Sequence, residues 1–325
     1  MASAVLINSE IKLVPLADAD LTNLEKLFDE ECAEWLELLR WDYTGASMLI
    51  RDVARQRQLS GFVATIAGAT VGFAYYLVEG RRCSIGDIYV SRNCRGNGID
   101  RDLASAVCDQ LDGMSRVRRI ESQYVGIETS EADAVFQSRG FERLERNYMV
   151  VELDEHLSSK TGYAGSDESE VSIRAWQATD FSQAARVIHR SYRATHDSRI
   201  NSQYRTEEGC AELLTILTDH IWCGDFLPQV SRVALRRSEA LIAALIASRV
   251  SKGVGHIGQI SVHPAHQGRG IGRRLIASAL SEFRRMGFNS ITLAVTSANT
   301  SALHLYESCG FRTIHTFPVF HRERT

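Results

Sequence analysis

Residues 262–275 read VHPAHQGRGIGRRL and stand between a stretch rich in β-formers and a stretch with helical periodicity. Gly268, Gly270 and Gly272 let the backbone approach an anion closely, because glycine has no side chain to hold the anion away. Successive amide N–H groups and the first turn of a helix would then point at that anion. The segment therefore predicts a pyrophosphate cradle between a strand and a helix.

These glycines also fit a second interpretation, a tight turn that binds nothing. The sequence lacks the lysine of a P-loop at this position, and no acidic residue ends a following strand, as a dinucleotide-binding fold would require. The choice between a cradle and a plain turn therefore depends on the rest of the chain.

The chain contains an internal repeat. Copies of the same patterns recur after roughly 160 to 170 residues, which is too long for a solenoid and suits a duplicated domain. In the first pair a short strand precedes Asp20 or Asp180, each placed to cap a helix. The matching pairs are residues 11–28 with 171–188, 87–104 with 259–276, and 134–141 with 304–311.

Two domains follow from this repeat. The chain has 325 residues, 44% hydrophobic and 24% charged, which allows two globular cores. Residues 156–170 (HLSSKTGYAGSDESE) are small, polar and acidic, as expected of a linker between domains 1–155 and 171–325. Within each half, strand and helix patterns alternate, which predicts a mixed α/β (α+β) class.

Composition narrows the possible partners. A formal net charge of -3 and a sequence pI near 6.4 provide no general attraction to nucleic acid or to anionic membranes. No stretch approaches the roughly 20 apolar residues of a membrane helix, and the first ten residues do not resemble a signal peptide. The seven cysteines form no CxxC pair, which favours free thiols over a metal site. We expect a cytoplasmic protein without a bound metal.

Two segments together resemble the signatures of the GNAT superfamily of N-acetyltransferases. QGRGIG at residues 267–272 matches the Q/R-x-x-G-x-G/A cofactor turn, and NTSALHLYESCGF at residues 299–311 matches N-x-x-A-x-x-L-Y-x-x-x-G-F. The resemblance covers the second half, with the first half as a more distant copy. It implies acetyl-CoA as co-substrate and, in each half, a twisted, mostly antiparallel sheet flanked by helices.

The resemblance also implies cofactor-binding residues. The strand that contains Ile260, Ser261 and Val262 should diverge from its neighbour and pair with the pantetheine arm. Arg273 should lie near the phosphates and Asn299 along the pantetheine. The residues expected to hold the pyrophosphate are Gln267, Gly268, Arg269, Gly270, Ile271 and Gly272.

Two catalytic residues are expected from the same comparison. Tyr306 matches the family tyrosine that faces the thioester sulfur and acts as general acid, although it could also be an aromatic residue on an apolar helix face. His256 lies where family members often carry a base, and an ordinary histidine pKa of about 6.5 suits that task. A surface histidine at the start of a strand is the alternative. Gln259 has no titratable group and could only orient a water.

The first half lacks the residues of the GNAT signatures that acetyl transfer would need. Asp100 replaces Gly272 and brings a negative charge towards the pyrophosphate position, while Phe136 replaces Tyr306. No asparagine stands at the Asn299 spacing. We therefore predict a degenerate first domain that braces the active one.

The predicted function is acetyl transfer to a primary amine of a small molecule, peptide or protein, in the second domain. Family members shape the acceptor entrance with the segments that correspond to residues 190–226 and 317–323. Acids and aromatics in the first of these could receive a cation or simply form a solvated helical pair. They are Tyr192, Asp197, Tyr204, Glu207, Glu208, Asp225 and Phe226.

Two other functions stay open at this point. Mycothiol synthase is a tandem member of the superfamily with a degenerate half, which makes a sugar-linked amine a specific alternative acceptor. A non-catalytic acyl-CoA sensor is the alternative from a different class. The sequence determines neither the acceptor nor the oligomeric state.

Overall fold

The computed structural model describes residues 10–123, 131–153, 171–219, 221–236 and 240–324, so the expected linker at residues 156–170 lies outside the described residues. The described chain divides into two compact units, and neither is continuous in sequence. The first comprises the described residues of 1–38, 43–145 and 317–325, and the second those of 39–42 and 146–316.

The described residues form strands β1 to β13 and helices α1 to α9, numbered in chain order. The strands are β1 Ile11–Pro15, β2 Ser60–Ile66, β3 Ala69–Glu79, β4 Arg82–Val90, β5 Arg119–Ser122, β6 Glu142–Glu152, β7 Val171–Ala175, β8 Asp225–Phe226, β9 Arg232–Arg236, β10 Leu241–Ser251, β11 Val254–Val262, β12 Ser290–Thr296 and β13 Arg312–Glu323. The helices are α1 Leu21–Leu39, α2 Thr44–Arg55, α3 Ile99–Asp112, α4 Glu131–Ser138, α5 Phe181–Tyr192, α6 Asp197–Ile200, α7 Glu207–Asp219, α8 Ile271–Arg285 and α9 Thr300–Ser308.

The sheet of each unit is mixed and mostly antiparallel. In the first unit the order is β1-β2-β3-β4-β5-β13, and only β4 and β5 run parallel. In the second unit the order is β6-β12-β11-β10-β9-β7, and only β11 and β12 run parallel. The predicted α/β (α+β) class with flanking helices is therefore confirmed.

Helices cover both faces of the second unit's sheet. Helix α8 buries Leu275, Ala279 and Phe283, residues spaced four apart on one side of the helix, against one face. Helices α5 and α7 bury Ile188 and Leu214 in a separate cluster with residues of β9 and β10. Strand β10 is buried on both sides, which explains its nearly continuous apolar sequence, LIAALIASRV.

Local residues explain where several helices begin and end. Gly310 has φ +91° and follows α9, as expected of a left-handed C-cap. Asp20 caps α1, where its Oδ1 accepts a hydrogen bond from the N–H of Thr22 at 2.9 Å. Asp180 was expected to do the same for α5, and this expectation is wrong. Its carboxylate instead forms a two-point ion pair with Arg174, with both N–O distances 2.7 Å.

Strand β13 ends in the first unit. Its residues Phe320 to Glu323 pair with β5, although sequence similarity had suggested an acceptor entrance in the second half for residues 317–323. Phe320 is fully buried in the first core, 4.8 Å from the ring centroid of Phe136. The C-terminal strand therefore contributes to the stability of the first unit. Among the described residues, no helix is long and apolar enough to cross a membrane.

Replacing Phe320 by alanine tests this contribution. We expect Phe320→Ala to lower the free energy of unfolding by about 3 to 5 kcal/mol, because the lost ring leaves a cavity in the first core. Denaturant unfolding followed by hydrogen exchange should show the loss in β4 and β5. Met48→Ala, at a side chain that is 55% exposed, is the control and should change stability by less than about 0.5 kcal/mol. Equal effects of the two variants would contradict the assignment of Phe320.

Candidate active site

The two parallel strands of the second unit part halfway along their length. Strands β11 and β12 pair from Val254 with Ser290 as far as Ile257 with Leu293, and their later residues are not paired with each other. On its other edge β11 continues to pair with β10, and the register shift there leaves Gly258 as a bulged residue. The edge of β11 that follows Gly258 is therefore open towards β12.

Backbone groups of β11 face this open edge. The carbonyl of Ile260 accepts a hydrogen bond from Tyr192 Oη at 2.8 Å, and that of Val262 accepts one from Ser191 Oγ at 2.9 Å. In an antiparallel ladder a residue turns its N–H and C=O to the same side, so the N–H groups of Ile260 and Val262 face the edge as well. Ser261 points its buried hydroxyl to one face of the sheet, where it accepts from Gln259 Nε2 at 2.9 Å.

The glycine turn follows this strand directly. Gly268 and Gly270 have φ values of +72° and +75°, a left-handed conformation that disfavours any side chain. Gly270 is the N-cap of α8, and no side chain caps the helix there. The first N–H groups of α8 therefore point outward with the positive end of the helix dipole behind them. A side chain at Gly272 would come within 3.1 Å of Leu305, so this position is closely packed.

The remaining residues of the turn hold it in place. Gln267 donates from Nε2 to the carbonyl of Val262 at 3.0 Å, which ties the turn to the strand. Ile271 is buried in the core beneath the turn, while Arg269 is exposed above it. Arg273 reaches across to α9 and donates to Ser308 Oγ at 2.6 Å.

Helix α9 places Tyr306 in the same unit. Its ring is 6% exposed and meets Phe311 edge-on at a centroid distance of 5.9 Å. Burial, with a smaller contribution from the negative charge of Asp197, raises the pKa of Tyr306 well above its ordinary value, so the phenol keeps its proton at neutral pH. Asn299 caps α9, and its Oδ1 accepts from the N–H of Ala302 at 3.2 Å.

A polar aromatic cluster lies beside the open edge. The rings of Tyr192 and Tyr204 stack at 4.5 Å, and Tyr204 Oη donates to Gln259 Oε1 at 2.9 Å. Asp197 is buried, and its Oδ1 accepts from Thr296 Oγ1 at 2.6 Å. Of the acids and aromatics that the sequence offered as acceptor contacts, these three residues, Tyr192, Asp197 and Tyr204, come together.

The other proposed acceptor contacts lie elsewhere. Glu207, Glu208 and Asp225 are exposed, and Asp225 forms an ion pair with Arg249 at 2.6 Å. Phe226 packs edge-on against Trp176. Within the parts of the chain that the structure describes, no group of three or more His, Cys, Asp or Glu side chains could hold a metal ion.

His256 lies in an enclosed site near the start of β11. Its ring is 4.7 Å from that of Trp41 and stacks with Tyr148 at 6.1 Å. Its Nδ1 lies 2.9 Å from Thr292 Oγ1, and because that hydroxyl donates to Gly255, the histidine proton belongs on Nδ1. Burial and the charge of Arg146 lower the pKa of His256 to about 3.

Sequence reasoning missed Arg146. It lies on β6, in the half that the repeat assigns to the first domain, yet it belongs to the second unit. Its positive charge acts on Tyr192, Tyr204 and Tyr306 and favours their ionised forms. No local motif marks this residue, because only the pairing of β6 with β12 brings it to the site.

The first unit retains the backbone of the turn without its chemistry. Gly96 and Gly98 have the same left-handed φ of +74°. Asp100 Oδ2 accepts from the N–H of Ala132 at 3.3 Å, so this acid sits at the start of α4. Phe136, the counterpart of Tyr306, is fully buried and has no hydroxyl.

Comparison with known relatives gives short but clear matches. The chain is 37% identical over 59 residues to an L-methionine sulfoximine/L-methionine sulfone acetyltransferase of Salmonella typhimurium, covering 18% of this chain and 34% of that protein. It is 36% identical over 69 residues to a mycothiol acetyltransferase of Rhodococcus opacus, covering 21% and 23%. These matches therefore span about a quarter to a third of the relatives' own length.

Whole-chain similarity appears at the level of the fold. A tandem GNAT protein from the clavulanic acid biosynthesis pathway superposes with a TM-score of 0.58 at 14% identity, covering 97% of this chain and 98% of that one. The profile of the acetyltransferase (GNAT) family matches residues 21–141 and again residues 198–311. With one match in each half and more than half of its residues covered, the chain belongs to the acetyltransferase (GNAT) family.

Proposed function

We propose that the second unit is an N-acetyltransferase that moves an acetyl group from acetyl-CoA to a primary amine by direct attack. The observation that supports this most is the continuous path from the open edge of β11, through the left-handed glycines, to the uncapped start of α8. Such a path offers strand-like hydrogen bonds to an amide-containing arm and converging N–H groups to a pyrophosphate.

The residues present fit acetyl-CoA at this path. Ile260 and Val262 would pair with the pantetheine arm, with Ser261 between them, and Asn299 would lie alongside. Arg273, held half-buried against α9, would add positive charge near the phosphates. Gln267, Gly268, Arg269, Gly270, Ile271 and Gly272 would form the pyrophosphate cradle.

Tyr306 would serve as the general acid. When bound, acetyl-CoA supplies a thioester, an activated acyl group whose sulfur departs as a thiolate. The raised pKa of Tyr306 keeps a proton on its hydroxyl for that sulfur. The neutral amine would release one proton to solvent as the amide forms, and solvent would return a proton to the Tyr306 oxygen. The ring packs edge-on against Phe311, which restricts the positions that the hydroxyl can take.

The acceptor is proposed as a primary amine of a small molecule or peptide. The names of the relatives mention an amino acid derivative and mycothiol, so we take both an α-amino group and a sugar-linked amine as candidate acceptors. A non-catalytic acyl-CoA sensor would need the cradle but not the buried tyrosine, and Tyr306 therefore favours the enzyme.

Cofactor binding should be confined to the second unit. We expect one acetyl-CoA per chain by calorimetry, because Gly272 leaves the cradle uncharged whereas Asp100 places a carboxylate at the corresponding position. Gly270→Glu should abolish binding through backbone strain at φ +75° and charge repulsion. Gly98→Glu, the matched control in the first unit, should leave binding intact. Two equivalent sites, or the opposite response of the two variants, would refute the assignment.

Loss of the Tyr306 hydroxyl should affect turnover and not cofactor binding. We expect Tyr306→Phe to lower kcat by about 10²- to 10⁴-fold with an unchanged KM for acetyl-CoA, since the ring still fills the site. Free CoA release in the presence of an amine panel measures the rate. Tyr76→Phe, at a buried tyrosine of the first unit, is the control. An unchanged kcat in Tyr306→Phe would remove the acid role.

A base role for His256 stays a prediction. The pH dependence of kcat/KM that it implies differs from that of a histidine with an ordinary pKa. Because the pKa of His256 is about 3, the ring is already neutral throughout the range from pH 5 to 8. Any contribution of this residue to kcat/KM should therefore be constant over that range and should show no acidic limb near pH 6.5.

The same shift predicts how stability depends on pH. Below about pH 6.5 the unfolded chain takes up a proton at His256 and the folded chain does not, so stability present above pH 6.5 is lost as the pH falls towards 3. Between pH 6.5 and 5 the loss should be about 1.6 kcal/mol larger in the natural protein than in His256→Gln. Urea unfolding at both pH values measures it. The exposed His304, replaced by glutamine, is the control, and an equal loss in all three proteins would contradict the buried neutral state.

A further inference from the structure

The carboxylate of Asp197 has one oxygen that no described protein group satisfies. Its side chain is 9% exposed, and Thr296 Oγ1 donates to Oδ1 at 2.6 Å. Oδ2 is inaccessible to solvent and has no hydrogen-bond partner among the described residues. A buried, unsatisfied polar atom costs about 1 to 3 kcal/mol, and more when charged, so an arrangement of this kind indicates a donor that arrives with a ligand.

Neighbouring hydroxyl groups are already committed to other acceptors. Tyr192 Oη donates to the carbonyl of Ile260 at 2.8 Å and Tyr204 Oη to Gln259 Oε1 at 2.9 Å, so neither proton is directed at Asp197. The charge of Asp197 raises the pKa of Tyr306 and of both stacked tyrosines, so all three phenols lie within electrostatic range of the carboxylate. An ammonium group is the donor that best suits a carboxylate among aromatic rings.

The site also has a position of opposite charge. Arg146 stands directly opposite Thr296, the hydrogen-bond partner of Asp197, in the pairing of β6 with β12. Its charge acts on the same three tyrosines as that of Asp197, with the opposite sign. A ligand that carries only positive charge would be repelled by this guanidinium, whereas a ligand with a carboxylate next to its ammonium group would match both charges.

We propose that Asp197 and Arg146 form a recognition site for α-amino acids, in which Asp197 Oδ2 binds the ammonium group of the acceptor and Arg146 attracts its carboxylate. This proposal rests on the acetyl transfer proposed for the second unit and names its substrate class. The ammonium group would be held beside the end of β12, where Thr296 anchors the carboxylate and the charge of Asp197 acts on Tyr306. Before attack it would release one proton to solvent, which leaves a neutral amine with the lone pair that the reaction needs. Polyamines and amino sugars lack the carboxylate and would be poor acceptors.

Steady-state kinetics on the full chain test this specificity. The probes are the proteinogenic L-amino acids, the decarboxylated amine of each where it exists, and glucosamine, with acetyl-CoA at saturation. We expect at least one amino acid to be preferred over its decarboxylated amine by about 10-fold or more in kcat/KM. Asp197→Asn should raise the KM for that amino acid by about 10- to 100-fold and leave the KM for acetyl-CoA unchanged.

Three further variants separate recognition from structural damage. Arg146→Gln should raise the KM for the amino acid but not for its decarboxylated amine, a difference that general destabilisation would not produce. Asp225→Asn removes an exposed carboxylate of the same unit and should change neither KM. Thr296→Val removes the bond to Oδ1 but keeps the charge, and should raise the KM less than Asp197→Asn does.

Binding measurements distinguish failure of this proposal from failure of acetyl transfer. Calorimetry with the same amino acids, with CoA present, should show binding to the natural protein and its loss in Asp197→Asn, whether or not acetyl is transferred. A natural protein that binds no amino acid, that prefers glucosamine or a decarboxylated amine, or that binds equally well after Asp197→Asn would overturn the recognition site. Absence of acetyl-CoA binding and of turnover with every amine would instead overturn the proposed function.

Discussion

The end of the pairing between β11 and β12 is the constraint on which the site depends. Backbone N–H and C=O groups need partners when they are withdrawn from water, so a strand edge left open inside a folded unit has to be satisfied in another way. Here side chains of Tyr192, Ser191 and Gln267 take the carbonyls of Ile260 and Val262. The corresponding N–H groups face a gap that suits an extended ligand. The bulge at Gly258 and the turn at residues 267–272 lie at the two ends of this edge.

Charge placement then distinguishes the proposed roles of the buried polar groups. Burial disfavours charge, so it keeps Tyr306 protonated and His256 neutral. Both shifts come mainly from desolvation. The charge of Arg146 adds to the lowering of the His256 pKa, whereas at Tyr306 it opposes the raising effect of Asp197. A phenol that retains its proton can act as a general acid. An enclosed histidine with a low pKa is a weak base, and its neutral ring is compatible with burial in the interior of a sheet.

The two units show that a duplicated fold can keep the backbone geometry of a turn in both copies while the side chains around it differ. The left-handed glycines of the turn are retained in both, at Gly96 and Gly98 as well as at Gly268 and Gly270. What differs is the side chains around them. Asp100 accepts a hydrogen bond from the start of a neighbouring helix, and Phe136 fills part of the first core. Both residues contribute to the structure of the first unit, and Phe136 has no hydroxyl that could donate a proton.

Sequence alone determined the features that arise from local chain chemistry: the repeat, the glycine turn, the helices that follow it, and the family to which their spacing points. Their signals lie within a few residues, because turns, caps and amphipathic faces depend on near neighbours. Only the tertiary structure decided that β6 supplies Arg146 to the second unit, that Phe320 belongs to the first core, and that Asp197 meets Thr296, 99 residues away in sequence. Strand pairing and burial join residues without regard to their separation in sequence, and the pKa of a group such as His256 depends on that burial.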